Sequence, residues 1–275
     1  MLLLGGNILG GAFMYLCDYH MHSHNSFDSK ATIRENCVEA VKKGIKEICI
    51  TEHFSLQPYN KSFEFLNFEN YLAEIESCRN EFGDKLIIKV GLEVCEPHLD
   101  LKLGEYISNK PIDFVLGSIH NLDNLGLITF MSSNDKETSY STYFKNVKKV
   151  ADSPYIDVVA HFDLMKRYAF NKHGKYDFAL HRDEIIEALK YIISKGKGIE
   201  VNTSTLRSNV NETMPGIDIL REYYNLGGKI ITVGSDSHNG KDVGAGIEDS
   251  IKVLKEIGFK NIYTYEKRKP IAKKI

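Results

Sequence analysis

No stretch of this chain is apolar for the ~20 residues that a membrane-spanning helix needs. The most apolar segment, 1–14, is too short for that and lacks the basic residues that precede the apolar part of a signal peptide. Residues 1–13 therefore read as an apolar leader, disordered or artificially added, and no membrane partner is expected. A basic excess is missing as well: 35 Lys and Arg stand against 37 Asp and Glu, a formal net charge of −2, which gives no reason to expect nucleic acid. The five cysteines, Cys17, Cys37, Cys49, Cys78 and Cys95, are odd in number and form no CxxC pair. That argues against a disulfide framework and fits reduced thiols in the cytoplasm. Cys17 and Cys49 read as small core residues; Cys95, two residues past Glu93, reads as another buried thiol. No Pro/Ser-rich linker or low-complexity segment divides the 275 residues, so 14–275 is expected to be one domain. Self-association into a homo-oligomer stays open.

What is present is a rhythm of short β-branched runs separated by longer helical stretches. Strands are expected at 14–19, 47–51, 86–92, 114–118, 158–161, 198–201, 229–233 and 261–265, with helices near 33–43, 68–82, 138–151, 183–194, 217–225 and 249–257. Gly44, Gly227 and Gly258 each precede a new strand, as helix stops do. Parallel strands joined by helices make either an open sheet or a closed barrel. An open sheet gathers ligands at one switch point, whereas a barrel converges the ends of many strands on one site.

Chemistry-bearing residues stand at such ends. Six of the ten histidines follow apolar runs: His20, His22, His53, His120, His161 and His238. With Glu93, Asn202 and Asp236 they mark the ends of seven successive expected strands, which favours the barrel. In His20-Met-His22 and Asp236-Ser-His238 the paired side chains are i and i+2, so on extended backbone they share a face about 6.6 Å apart, a reach that suits one ion. A lone strand-end histidine is usually a hydrogen-bonded structural residue, but recurrence at strand after strand argues for ligation by imidazole and carboxylate. Glu52, Asp18 and Asp163 are read as partners that orient ligands. His24, His98, His173 and His181 have no strand-end setting and default to the surface.

The segments Asp18-Tyr-His20-Met-His22, Thr51-Glu-His53, Gly91-Leu-Glu93, Gly117-Ser-Ile-His120, Ala160-His161-Phe-Asp163 and Gly234-Ser-Asp236-Ser-His238 occur in that order. Together they resemble the PHP (polymerase and histidinol phosphatase) superfamily of metal-dependent phosphoesterases, and 161–167 and 201–207 look like its histidinol-phosphatase branch. The resemblance implies an α/β fold, a single distorted TIM-like (β/α)7 barrel with its metal site at the C-terminal strand ends. It implies two to three divalent ions, zinc, iron or manganese: one on His20, His22, Glu93 and Asp236, a second on Glu93, His120 and His161, a third on Asp28, His53 and His238. Many relatives carry histidine at the place Asp28 takes here. Glu93, Asp236 and His238 are the expected catalytic group, with Asp236 or Glu52 as candidate acids.

The implied reaction is histidinol-phosphate hydrolysis in histidine biosynthesis, with a small phosphate monoester as the molecular partner. Phosphate calls for cations outside the metal shell, for which Arg207, with its planar fork, and Lys166 and Arg167 are the candidates. Asp163, Glu96, Tyr140 and Phe54 are candidate contacts for the histidinol part. Alternatives are a phosphoesterase for nucleotides or other small phosphates, an amidohydrolase-type metal hydrolase, or a structural metal cluster.

Overall fold

The computed structural model describes residues 14–100 and 102–275; the expected leader, 1–13, lies outside them. Along the chain run β1 (Cys17–Asp18), α1 (Ile33–Lys42), β2 (Glu47–Phe54), α2 (Phe68–Phe82), β3 (Ile87–Cys95), α3 (Leu103–Ser108), β4 (Phe114–Ser118), a short hairpin β5 (Asn121–Leu122) and β6 (Leu125–Gly126), α4 (Leu127–Ser133), α5 (Lys136–Val150), β7 (Val158–Val159), α6 (Met165–His173), α7 (Arg182–Ser194), β8 (Gly198–Asn202), α8 (Ile217–Asn225), β9 (Ile231–Gly234), α9 (Ile247–Ile257), β10 (Asn261–Glu266) and β11 (Lys269–Lys274).

The helices begin where the sequence supplies caps. Thr32 and Glu35 form a reciprocal capping box at α1, and Asn67 and Asp135 accept backbone N–H groups at α2 and α5. Seven strands form one sheet in the order β1-β2-β3-β4-β7-β8-β9, every adjacent pair parallel. The edges almost meet: Tyr19 N donates to Val233 O at 2.9 Å, and Asp236 N donates to His20 O at 2.7 Å. The result is the nearly closed α/β barrel expected. Its strands are covered by helices outside and packed side chains within, so all of β2, β4 and β8 is buried, as a parallel sheet requires.

The last expected strand is present but stands outside the seven-stranded sheet. Residues 261–265 fall in β10. They pair antiparallel with β11, a strand sequence reading did not anticipate, and this hairpin lies across the N-terminal ends of the barrel strands. Tyr265 N donates to Tyr19 Oη at 2.8 Å, Tyr19 Oη donates to Glu47 Oε1 at 2.5 Å, and the rings of Tyr19 and Tyr265 flank Phe114. Arg268 closes the corner through Asp157 Oδ2 at 2.5 Å and the Tyr155 carbonyl at 2.7 Å. Strands β1 and β7 are shorter than expected, and α3, α4 and α6 were not foreseen.

Candidate metal centre

The opposite end of the barrel gathers the histidines. Glu93 in β3 is the register partner of His53 in β2, so both point inward side by side. His20 and His22 follow β1, His120 follows β4, His161 follows β7, and Asp236 and His238 follow β9. Glu93 stands at the centre and is 1% exposed. Its Oε2 lies 3.3 Å from His20 Nε2, 3.5 Å from His22 Nε2 and 2.9 Å from His53 Nδ1; its Oε1 lies 2.8 Å from His161 Nε2 and 3.3 Å from His120 Nε2. Asp236 Oδ1 is 3.5 Å from His22 Nε2, and Asp28 Oδ2 bridges His53 and His238 at 3.4 and 3.3 Å. The structure therefore brings together His20, His22, Asp28, His53, Glu93, His120, His161, Asp236 and His238.

The donor set fits cations. His20 Nδ1 faces Glu200 at 2.6 Å and His22 Nδ1 faces Ser26 Oγ at 3.2 Å, while their two Nε2 atoms stand 3.1 Å apart. With protons on Nδ1, two lone pairs meet there beside two carboxylates, an arrangement that positive charge between them relieves. His53 Nδ1 likewise points at Glu93 Oε2, at 2.9 Å. Ligand atoms of His20, His22 and Asp236 lie within 4.8 Å of one another, as do those of Glu93, His120 and His161, and those of His22, His53 and His238. Burial opposes charge on Glu93 and Asp236, but the imidazoles around them hold both carboxyls well below the usual range. Burial, with His53 and His238 nearby, pushes His22 well below the ordinary imidazole value, so it is a neutral donor.

Orienting partners differ from those expected. Glu200, not singled out from sequence, holds His20 through Oε1 and accepts from His161 N at 2.8 Å through Oε2. The available signal was a lone acid inside the apolar run Gly-Ile-Glu-Val. Glu52 turns away from the cavity and accepts from Ser23 and Ser26, steadying His22 through Ser26. Burial pushes its carboxyl up to about 7. Asp18 binds the Ser235 and Gly244 amides and braces the seam rather than a ring.

A cavity of about 540 Å³ opens onto the cluster, walled by Phe27, Tyr59, Lys61, Leu127, Arg167 and Tyr168 among others. Of the three expected cations only Arg167 lines it, with Nη1 3.3 Å from Asp236 Oδ2. Lys166 is corrected: its ammonium is buried against Asp163 at 2.8 Å, Glu212 at 3.2 Å and the Thr213 carbonyl at 2.6 Å. Arg207 is corrected too. It donates to the Ser235 carbonyl at 2.8 Å and faces Asp242, tying two loops together outside the cavity lining. Asp163, Glu96, Tyr140 and Phe54 also lie outside that lining. Glu96 instead accepts from His120 N, Asn121 N and Asn60 Nδ2 at 2.6, 2.8 and 3.2 Å. Lys61, Tyr59 and Tyr168 sit on the cavity wall and were missed, since nothing in their sequence settings marks them out.

A model of the PHP domain family matches residues 18–204. Curated relatives include a histidinol-phosphatase of Lactococcus lactis, 32% identical over an alignment of 263 positions that covers 90% of this chain and 93% of that protein. A probable histidinol-phosphatase of Clostridium acetobutylicum is 33% identical over 91% of this chain and 97% of its own length. Among solved structures, the L. lactis histidinol phosphate phosphatase, complexed with zinc, L-histidinol and phosphate, matches with a TM-score of 0.85 and 31% identity, covering 94% of this chain and 99% of that one. A putative histidinol phosphatase from Listeria monocytogenes, at 19% identity and a TM-score of 0.71 over 85% and 99%, shares the fold.

Proposed function

The chain belongs to the PHP domain family, and on that footing we propose that it is a histidinol-phosphatase, a metal-dependent phosphomonoesterase releasing L-histidinol and inorganic phosphate. The carrying observation is the similarity, across 90% of the chain, to a histidinol-phosphatase. Histidine biosynthesis in the cytoplasm fits that chemistry and the five free thiols.

Two to three zinc, iron or manganese ions would be held by the three donor groups, with Glu93 shared between the first and second. When bound, they supply Lewis acidity that lowers the pKa of water toward about 7 and offsets charge on phosphoryl oxygens. The residues do the rest. Arg167 presents its guanidinium from the cavity wall to the phosphate, and by pairing with Asp236 keeps that carboxylate in place. Asp236, an ionised carboxylate on the cavity wall, takes the proton of the attacking water and returns it to the leaving histidinol oxygen, while His238 turns its Nδ1 to the Asp236 carbonyl at 3.1 Å. Glu52 is no candidate acid, because its carboxyl faces two serines behind His22. Phe27, Tyr59 and Tyr168 give the leaving group apolar faces on which an imidazole stacks.

Purified protein loaded with zinc, iron or manganese in turn should release phosphate from L-histidinol phosphate with a kcat/KM at least tenfold above that for nucleoside monophosphates or simple phosphomonoesters. Equal turnover of nucleotides would replace the proposed substrate with the broader phosphoesterase reading.

A further inference from the structure

Besides His53, whose Nδ1 faces Glu93 itself, four histidines of the centre present Nδ1 to a neighbour. For three of them the neighbour is oxygen: Glu200 Oε1 for His20, Ser26 Oγ for His22 and the Asp236 carbonyl for His238. For His120 it is sulfur, since Cys95 Sγ lies 3.1 Å from His120 Nδ1. We propose that Cys95 is the positioning residue of His120, accepting its Nδ1 proton and so fixing the tautomer that leaves the Nε2 lone pair toward Glu93.

The placement follows from the strand. Glu93 and Cys95 are i and i+2 in β3, so both side chains point into the barrel, one at the cluster and the other beside it. Cys95 is 2% exposed. Glu96 already pins the His120 backbone amide at 2.6 Å, so the freedom left to this ligand is ring rotation and the choice of tautomer. The sulfur contact removes both. Cys95 also lies within ligand reach of His53 and His120, but Sγ meets Nδ1, the nitrogen turned away from Glu93. An ion held by that pair would take His120 out of the Glu93 group. Metal-bound histidines usually donate to oxygen, and loss of such a partner weakens metal affinity by about 10–100-fold.

The inference rests on reading His120 as a ligand, and its test reads metal directly, apart from substrate. Reduced wild type, Cys95→Ser and Cys95→Val are titrated with Co2+, following affinity, stoichiometry and the electronic spectrum. Cys95→Val keeps the volume without an acceptor and should bind its weakest ion 10–100-fold less tightly; Cys95→Ser, with an oxygen acceptor, should recover most of that loss. Wild-type affinity in Cys95→Val, or equal losses in both variants, would overturn the proposal, as would a thiolate-to-cobalt charge-transfer band in wild type that Cys95→Ser abolishes. Failure of wild type to hydrolyse L-histidinol phosphate would instead sink the proposed substrate and leave this result standing.

Discussion

Glu96, His161 and Asp236 adopt positive φ values of 48°, 24° and 51°, conformations that cost a residue with a side chain on the order of 1–3 kcal/mol each. All three sit at or beside strand ends, and two of them are candidate ligands, so surrounding bonds must hold them there. Glu200 does this for His161 and for His20 together. Replacing Glu200 with Gln should therefore lower metal affinity by about 10–100-fold, measured by retained ion after dialysis against a graded chelator; full retention would remove Glu200 from the centre. Asp28→Ala should weaken binding of a single ion while the others stay, because Asp28 contacts only His53 and His238 of the cluster and is about a third exposed. The residues of the cluster other than Asp28 were legible in the sequence, since they end apolar runs and the pairs repeat at i and i+2, whereas Asp28 came only from the family resemblance. Glu200, Cys95 and Lys61 were not, because their roles exist only through partners 25 or more positions away or across the cavity. Lys166 and Arg207 misled for the converse reason: a cation near a motif looks free until its carboxylates and carbonyls are seen.

At the scale of elements, the β10–β11 hairpin closes the floor of the barrel with one arginine. Arg268→Ala would leave Asp157, 9% exposed, without its cation and should destabilise the protein by about 2–3 kcal/mol, read from the denaturant midpoint at constant m. Ion binding at the far end should change little. The 3-10 turn Pro97–Leu99 carries a second, pH-dependent weakness. Burial, with Lys149 nearby, pushes His98 down to about 4. Its imidazole is neutral in the fold but takes a proton near 6.5 when unfolded. Stability is therefore present above pH 6.5 and is lost as pH falls toward 4, by roughly 1–3 kcal/mol. His98→Asn should flatten that slope relative to wild type when both are unfolded at pH 7 and pH 5; identical slopes would refute it. Helices with caps and regular apolar spacing were readable to within about two residues, whereas α3, α4 and α6 follow strand ends where the chain serves the site, and their apolar spacing is too short to declare itself. In the C-terminal hairpin the strand at 261–265 was readable but its partner β11 was not, and only closure of the sheet by β1 and β9 shows that 261–265 has no barrel edge to join.

For the whole molecule, the barrel packs its hydrophobic core below a cavity lined with acids and imidazoles held close together. Ions bound there favour the native state by mass action. Exhaustive chelation should lower the melting temperature by several degrees, and stoichiometric readdition should restore it; a Tm indifferent to chelator would mean the cluster holds no ion in the folded protein. Among the described residues no helix is long and apolar enough to cross a membrane. The barrel was inferable because chemistry-bearing residues ended seven strands in turn, candidate ligands on six of them and Asn202 on the other, which an open sheet has no means of bringing together.

The seam between β1 and β9 joins parts of the chain more than two hundred residues apart, with His20 and His22 on one side and Asp236 and His238 on the other. An ion held by His20, His22 and Asp236 would be a clasp between the first and last strands of the barrel. The groups of His20, His22 and Asp236 and of His22, His53 and His238 would each need both margins of the sheet, whereas Glu93, His120 and His161 would need only its middle strands.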